Sequence, residues 1–155
     1  MKAIFQESVH TTIVIEASRE VVWSALSDFT TYGVWNKVSP RAIGHLAVGA
    51  GVKIEVDLPD MKITTTKATV IELKQFESIC WVGNFWIRGL MDGYHSYRLK
   101  ALNSQRTELA HDEIFKGLLV PFIWSSMGPK FTQRFNETNA SLKLFVESKR
   151  HLKPA

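Results

Sequence analysis

The chain has 155 residues, a formal net charge of +4, 45% apolar residues and 22% charged residues. That length suits one domain, 1–155, and buries roughly 70% of the surface the unfolded chain exposes, so a full core is within reach. The balance excludes disordered, collagenous and coiled-coil classes, and a single cysteine excludes an internal disulfide framework.

Five Trp, nine Phe and three Tyr give 17 large rings that need placing. The basic excess gathers late in the chain at Lys143, Lys149, Arg150, His151 and Lys153. Nucleic-acid surfaces carry a denser stripe with exposed stacking rings, so this cluster reads as solvated charge and no nucleic-acid partner is expected. The opening Met1–Val9 lacks the apolar run of a secretion signal, and no stretch is apolar enough to span a bilayer. The cytoplasm, without integral membrane association, is the expected compartment.

Val9–Glu16 is rich in β-branched residues and predicts the first strand. Ser18 is placed to cap a helix whose stripe is Val22, Ala25, Leu26 and Phe29. A second short helical piece follows over about 29–34, and Ser39-Pro40 opens a loop. From Gly49 the period changes to two: Val52, Ile54 and Val56 alternate with charged residues. Leu58-Pro59-Asp60 is a turn, and strands follow over about 62–73, 76–85, 93–101 and 106–116. Helical period returns at the end, with Trp124, Met127, Phe131, Phe135, Thr138, Leu142 and Phe145 on one face. Gly128-Pro129 predicts a break at 127–129.

Runs of strands with helices segregated to either side predict an α+β fold. The antiparallel sheet must cover its apolar face, and the long C-terminal helix is the only element able to do so. A curved sheet around one helix leaves room between them for a pocket. Residues expected to line it are Tyr32, Trp35, Val56, Val70, Trp81, His95, Tyr97, His111, Glu113, Phe115, Trp124, Met127, Phe131 and Phe135. Trp86 is weaker, because its strand ends near it.

One polar constellation stands out. If Leu99 pairs with Leu109, then Tyr97 opposes His111 and His95 opposes Glu113 on one face. A buried carboxylate beside a histidine is suited to acid–base work, which makes His95 and Glu113 the catalytic candidates; the competing reading is mutual satisfaction in a partly wet cavity. His95, His111 and Glu113 also have the ligand types of an iron or zinc site, but nothing else supports a metal, and no cofactor signature is present. Cys80 alternates against Ile79 and Trp81, which points it outward, with no neighbour in sequence to activate it.

Several segments together resemble the SRPBCC superfamily, the START-like helix-grip group that includes polyketide cyclase/dehydrase-type domains. They are Ile13-Val14-Ile15, Ala17-Ser18 with Glu20, Val22, Trp23, Leu26 and Asp28, then Tyr32 and Trp35-Asn36. Trp81-Val82-Gly83, Gly93–Leu99 and Thr107–Pro121 continue the series in order. The resemblance implies a curved antiparallel sheet wrapped around a long C-terminal helix, two short helices after the first strand, and a deep apolar cavity. A ring-rich helix facing such a sheet makes binding of a small hydrophobic ligand (acyl, polyketide-like or aromatic) the expected function, with cyclase or dehydratase chemistry as the alternative; a monomer or homodimer is expected. The chain departs from relatives after Trp35-Asn36, where Lys37 stands in place of a frequent proline.

Overall fold

The computed structural model describes residues 5–150. Strand β1 is Gln6–Ile15, helix α1 Arg19–Leu26, and a single tight helical turn at Phe29–Thr31 leads into α2, Tyr32–Trp35. Strands β2 (Ala42–Gly44), β3 (Gly51–Val56), β4 (Thr64–Lys74), β5 (Ser78–Phe85), β6 (Met91–Asn103) and β7 (Arg106–Lys116) follow, and α3 is Val120–Arg150. All strand pairs are antiparallel in the order β1-β7-β6-β5-β4-β3-β2. The expected α+β architecture is the observed one: a seven-stranded sheet faces one long helix, and the two short helices follow the first strand.

Local chemistry explains the entry to α1. The Ser18 hydroxyl accepts from the Val21 N–H at 3.4 Å, satisfying one of the amides a helix start leaves free. Val22, Ala25 and Leu26 then turn inward and are buried. At α2 the Lys37 that follows Trp35-Asn36 has a use. The backbone N–H groups of Lys37 and Val38 both donate to Thr138 Oγ1 on α3, at 3.1 and 3.0 Å. A proline at 37 has no N–H to give.

The expected break in α3 does not occur; the helix runs through Pro129. Pro129 and Ser125, whose carbonyl loses its helical donor, both lie on the exposed side, where water can take the place of the missing bond. Gly128 lets Trp124 pack close against the helix here, since a Cβ there would lie 2.8 Å from Trp124 Cε2. Strand β2 was not expected either, because three residues are too short to show a period. It pairs Ala42 with Ile54 and extends the sheet beyond β3. Cys80 does sit on the convex face but is covered there, within 3.6 Å of Arg98 Nη2 and 3.8 Å of Glu72 Oε1, and burial raises its thiol pKa.

The helix and sheet bury two apolar clusters. One gathers Ile15, Leu26, Trp35, Val70, Leu109 and Leu142 beneath α1; the other gathers Val9, Met91, Phe115, Phe131 and Phe135 toward the start of α3. Where they meet, the concave face carries His95, His111 and Glu113, all buried. Gly117 joins β7 to α3 at φ 151°, and a Cβ there would fall on the Leu90 carbonyl, so glycine is required. In the basic C-terminal cluster, Lys143 pairs with Glu147 and Lys149 lies over Phe145; His151 and Lys153 lie outside the described residues.

Candidate functional site

The register of the last hairpin is the expected one: Leu99 opposes Leu109, Tyr97 opposes His111 and His95 opposes Glu113. His95 Nδ1 lies 3.5 Å from Glu113 Oε2. That spacing would suit an ion pair, but the two side chains are 5% and 9% exposed. Burial lowers the His95 pKa to about 3 and raises that of Glu113 to about 8, so the uncharged pair is the resting form at pH 7. Glu113 is therefore a protonated acid beside a neutral imidazole. Gly93, opposite Phe115 on the next strand, makes space for the acid: a Cβ at 93 would fall on Glu113 Oε1 and lie 3.2 Å from Phe85.

His111 is held differently. Asn139 Nδ2 donates to Thr11 Oγ1 at 2.8 Å, which leaves Asn139 Oδ1 as the acceptor for His111 Nδ1 at 2.7 Å. Thr11 in turn donates to the His111 carbonyl at 2.7 Å. This closed set puts the His111 proton on Nδ1 and leaves Nε2 as a lone pair. Burial, then neighbouring His95, lowers the His111 pKa. The Nε2 atoms of both His95 and His111 are buried without a protein hydrogen-bond partner. Around them the rings are close-packed: Trp81 stacks on His95 at 4.8 Å, and Phe135 stacks on His111 at 4.0 Å. Tyr97 completes the pile, its hydroxyl accepting from Asn36 Nδ2 at 3.2 Å.

The space between sheet and helix is uneven. Next to Glu113 and His95 is a cavity of about 20 Å³, bounded by Val38, Ser39, Ile54, Val56, Thr66, Trp81, Gly83, Phe85, Gly93 and Phe131. That holds one water-sized group. Beyond it lies an open cleft of about 280 Å³ lined by Val56, Leu58, Met61, Lys62, Thr64, Thr65, Thr66, Asn84, Phe85, Trp86 and Met127. Val56, Thr66 and Phe85 border both spaces, so the cleft leads inward to the acid–imidazole pair.

Of the residues expected from sequence, Val56 and Met127 line the cleft, while Val56, Trp81, His95, Glu113 and Phe131 line the inner cavity. Tyr97, His111 and Phe135 pack behind that cavity, and Phe115 packs beside Phe131. Tyr32, Trp35 and Val70 belong to the apolar cluster under α1. Trp124 borders a shallow groove on the far side of α3 with Ser8 and Pro129. The cleft wall from Leu58 to Lys62 escaped the sequence reading because loop residues carry no period. Asn139 escaped it too, because its bond to Thr11 joins residues 128 positions apart. Among the described residues no group of three or more His, Cys, Asp or Glu side chains is arranged to hold a metal ion.

Solved structures of other proteins share the fold. An aromatase/cyclase, Zhui, from Streptomyces sp. R1128 superposes with a TM-score of 0.78 at 14% identity, over 94% of this chain and 96% of that one. The chain has a helix-grip fold. A START superfamily protein from Mycobacterium smegmatis shares this helix-grip fold at a TM-score of 0.70 and 19% identity, over 91% of this chain and 97% of that one. Norcoclaurine synthase from Thalictrum flavum, solved with a transition-state analogue, superposes at 0.73 and 9% identity, over 97% and 99% of the two chains. By sequence, no family model and no curated protein matches. At these identities the likeness fixes the fold alone.

Proposed function

We propose that this helix-grip chain binds a small hydrophobic ligand, acyl, polyketide-like or aromatic, in the cleft between β3, β4, β5 and the start of α3. One observation carries the reading: an open cleft of about 280 Å³, walled mainly by apolar side chains, that continues inward to Glu113 and His95. Apolar walls with a few convergent polar groups are the usual make-up of a small-molecule site. At about 280 Å³ the cleft lies at the small end of ligand pockets, so the ligand is compact. The Zhui aromatase/cyclase and norcoclaurine synthase, which share the fold, are consistent with small organic ligands in this architecture. Titration with an environment-sensitive apolar fluorophore should show saturable binding that an unlabelled competitor displaces. Val56→Trp should weaken it at least about tenfold by filling the passage. Unsaturable binding, or binding indifferent to Val56→Trp, would count against the cleft.

The state of the acid–imidazole pair favours a second reading, a cyclase or dehydratase. With a β-hydroxy ketone bound, His95 takes the α-proton while Glu113 protonates the departing hydroxyl. Water leaves and a carbon–carbon double bond forms. His95 is then protonated and Glu113 ionised, and one proton passing back across their 3.5 Å separation restores the pair. A panel of β-hydroxy ketones, followed by mass spectrometry for loss of water, tests this. Glu113→Gln and His95→Gln should each lower turnover about 10²- to 10⁴-fold while fluorophore affinity stays within a few-fold. Unchanged turnover in either variant would remove the acid–base role.

A further inference from the structure

The mouth of the cleft is ringed by apolar side chains that nothing in the fold covers. Thirteen large hydrophobic residues are exposed among the described residues, and six of them, Met61, Ile63, Trp86, Ile87, Leu118 and Phe122, belong to the three loops and the first helical turn around this opening. Phe122 is 79% exposed, and Trp86 and Ile87 are each 67% exposed. They are held as one platform. The Leu118 N–H donates to the Gly89 carbonyl at 3.2 Å and the Leu119 N–H to the Leu90 carbonyl at 3.0 Å, fastening the β5–β6 loop to the start of α3. Met61 joins from across the mouth, since it and Trp86 line the same cleft. Trp86 itself has φ 67°, a strained position for a bulky residue, directly after the end of β5.

Cations alternate with these side chains. Lys62 stands between Met61 and Ile63, and Arg88 follows Ile87. Neither makes an ion pair within 4.0 Å among the described residues. The nearby acids are engaged: Asp92 accepts from Asn84 and from the Gly89 N–H, and Asp60 lies 3.9 Å from Lys130. Lysine is depleted at protein–protein contacts, whereas Trp and aliphatic tips interleaved with Lys and Arg match the apolar-to-anionic gradient of a lipid headgroup layer. The chain's net charge of +4 has the same sign preference.

We propose that this face docks on an anionic bilayer surface, with Ile87, Trp86 and Phe122 entering the headgroup–acyl boundary and Lys62 and Arg88 meeting lipid phosphates. Its purpose rests on the cleft reading: an apolar ligand then passes between bilayer and cleft without crossing water. No helix among the described residues is long and apolar enough to span a membrane, so the contact is peripheral.

Co-sedimentation of the full chain with phosphatidylcholine vesicles, with and without phosphatidylserine, tests the surface. Binding is expected to the mixed vesicles and to weaken as salt is added. Ile87→Ser/Phe122→Ser, at two exposed positions outside the cleft wall, should lower partitioning about tenfold or more by removing buried apolar area. Arg88→Glu should lower it about tenfold on the anionic vesicles only. Fluorophore affinity and melting temperature serve as controls and should be unchanged in both variants. No vesicle binding by the parent chain, or equal binding by Ile87→Ser/Phe122→Ser, overturns the proposal. So does a parent dimer in light scattering that this double variant dissolves, because the face then belongs to a second copy. Loss of fluorophore binding in the parent with vesicle binding intact overturns the cleft reading and leaves the surface standing.

Discussion

Glu113→Gln should be more stable than the parent chain at pH 8, by up to about 5 kcal/mol, and no more stable at pH 4. The sign follows from linkage. In the unfolded chain a glutamate titrates near pH 4.3, whereas in the fold burial raises Glu113 to about 8. Between those values the folded state holds a proton that the unfolded state has released, so stability falls as pH rises and levels off above about 8. Each unit is worth about 1.4 kcal/mol. His95 works in the opposite sense: with its pKa lowered to about 3, it costs stability as pH falls from about 6.5 toward 3. His111 is lowered too and adds to that acid limb. Around pH 4.3 to 6.5 the Glu113 and His95 slopes cancel and His111 leaves a net rise, so these groups place the stability maximum near pH 6.5. Urea unfolding from pH 4 to 9 reads the profile. The parent should lose about 2 kcal/mol between pH 6.5 and 8, and Glu113→Gln should not. A glutamine variant that is less stable than the parent at pH 8 would mean that Glu113 is ionised and paired in the fold.

Phe135→Ala should cost about 3 to 5 kcal/mol, the range for truncating a fully enclosed aromatic ring. Phe135 has no solvent exposure, stacks on His111 at 4.0 Å and meets the edge of His95 at 5.5 Å. Its removal opens space directly behind the inner cavity, which at about 20 Å³ is now the tightest part of the path. Larger apolar fluorophores should therefore gain affinity in this variant relative to small ones, even as its urea midpoint falls. A loss below about 1 kcal/mol would show that the core collapses to fill the gap.

These two residues also show how far the sequence could be read. The facing of His95 and Glu113 was legible because strands β6 and β7 alternate apolar and polar residues across a short connection, which leaves one register that buries Leu99 and Leu109 together. Phe135 was legible from helical period. The resemblance to helix-grip proteins agreed with that element order and with the observed fold. What escaped was set by contacts between distant residues. Asn139 reaches Thr11 from 128 positions away, and no local pattern marks such a bond. Met61 and Lys62 form a cleft wall from a turn, where side-chain direction depends on backbone angles such as the φ of 58° at Asp60. Pro129 misled because propensity predicts a break, while packing of Met127 and Phe131 on either side keeps the helix whole. The reading of a deep cavity placed too much empty space inside. Phe131 and Phe135 fill the interior between sheet and helix, and the room that remains lies nearer the surface.

The most direct test is a crystal structure of the chain soaked with a saturating, compact apolar ligand. The ligand should lie against Val56, Phe85 and Met127, with its polar end at Glu113 and His95. Ligand density on the convex face of the sheet or in the groove beside Trp124, with the cleft empty, would contradict the account.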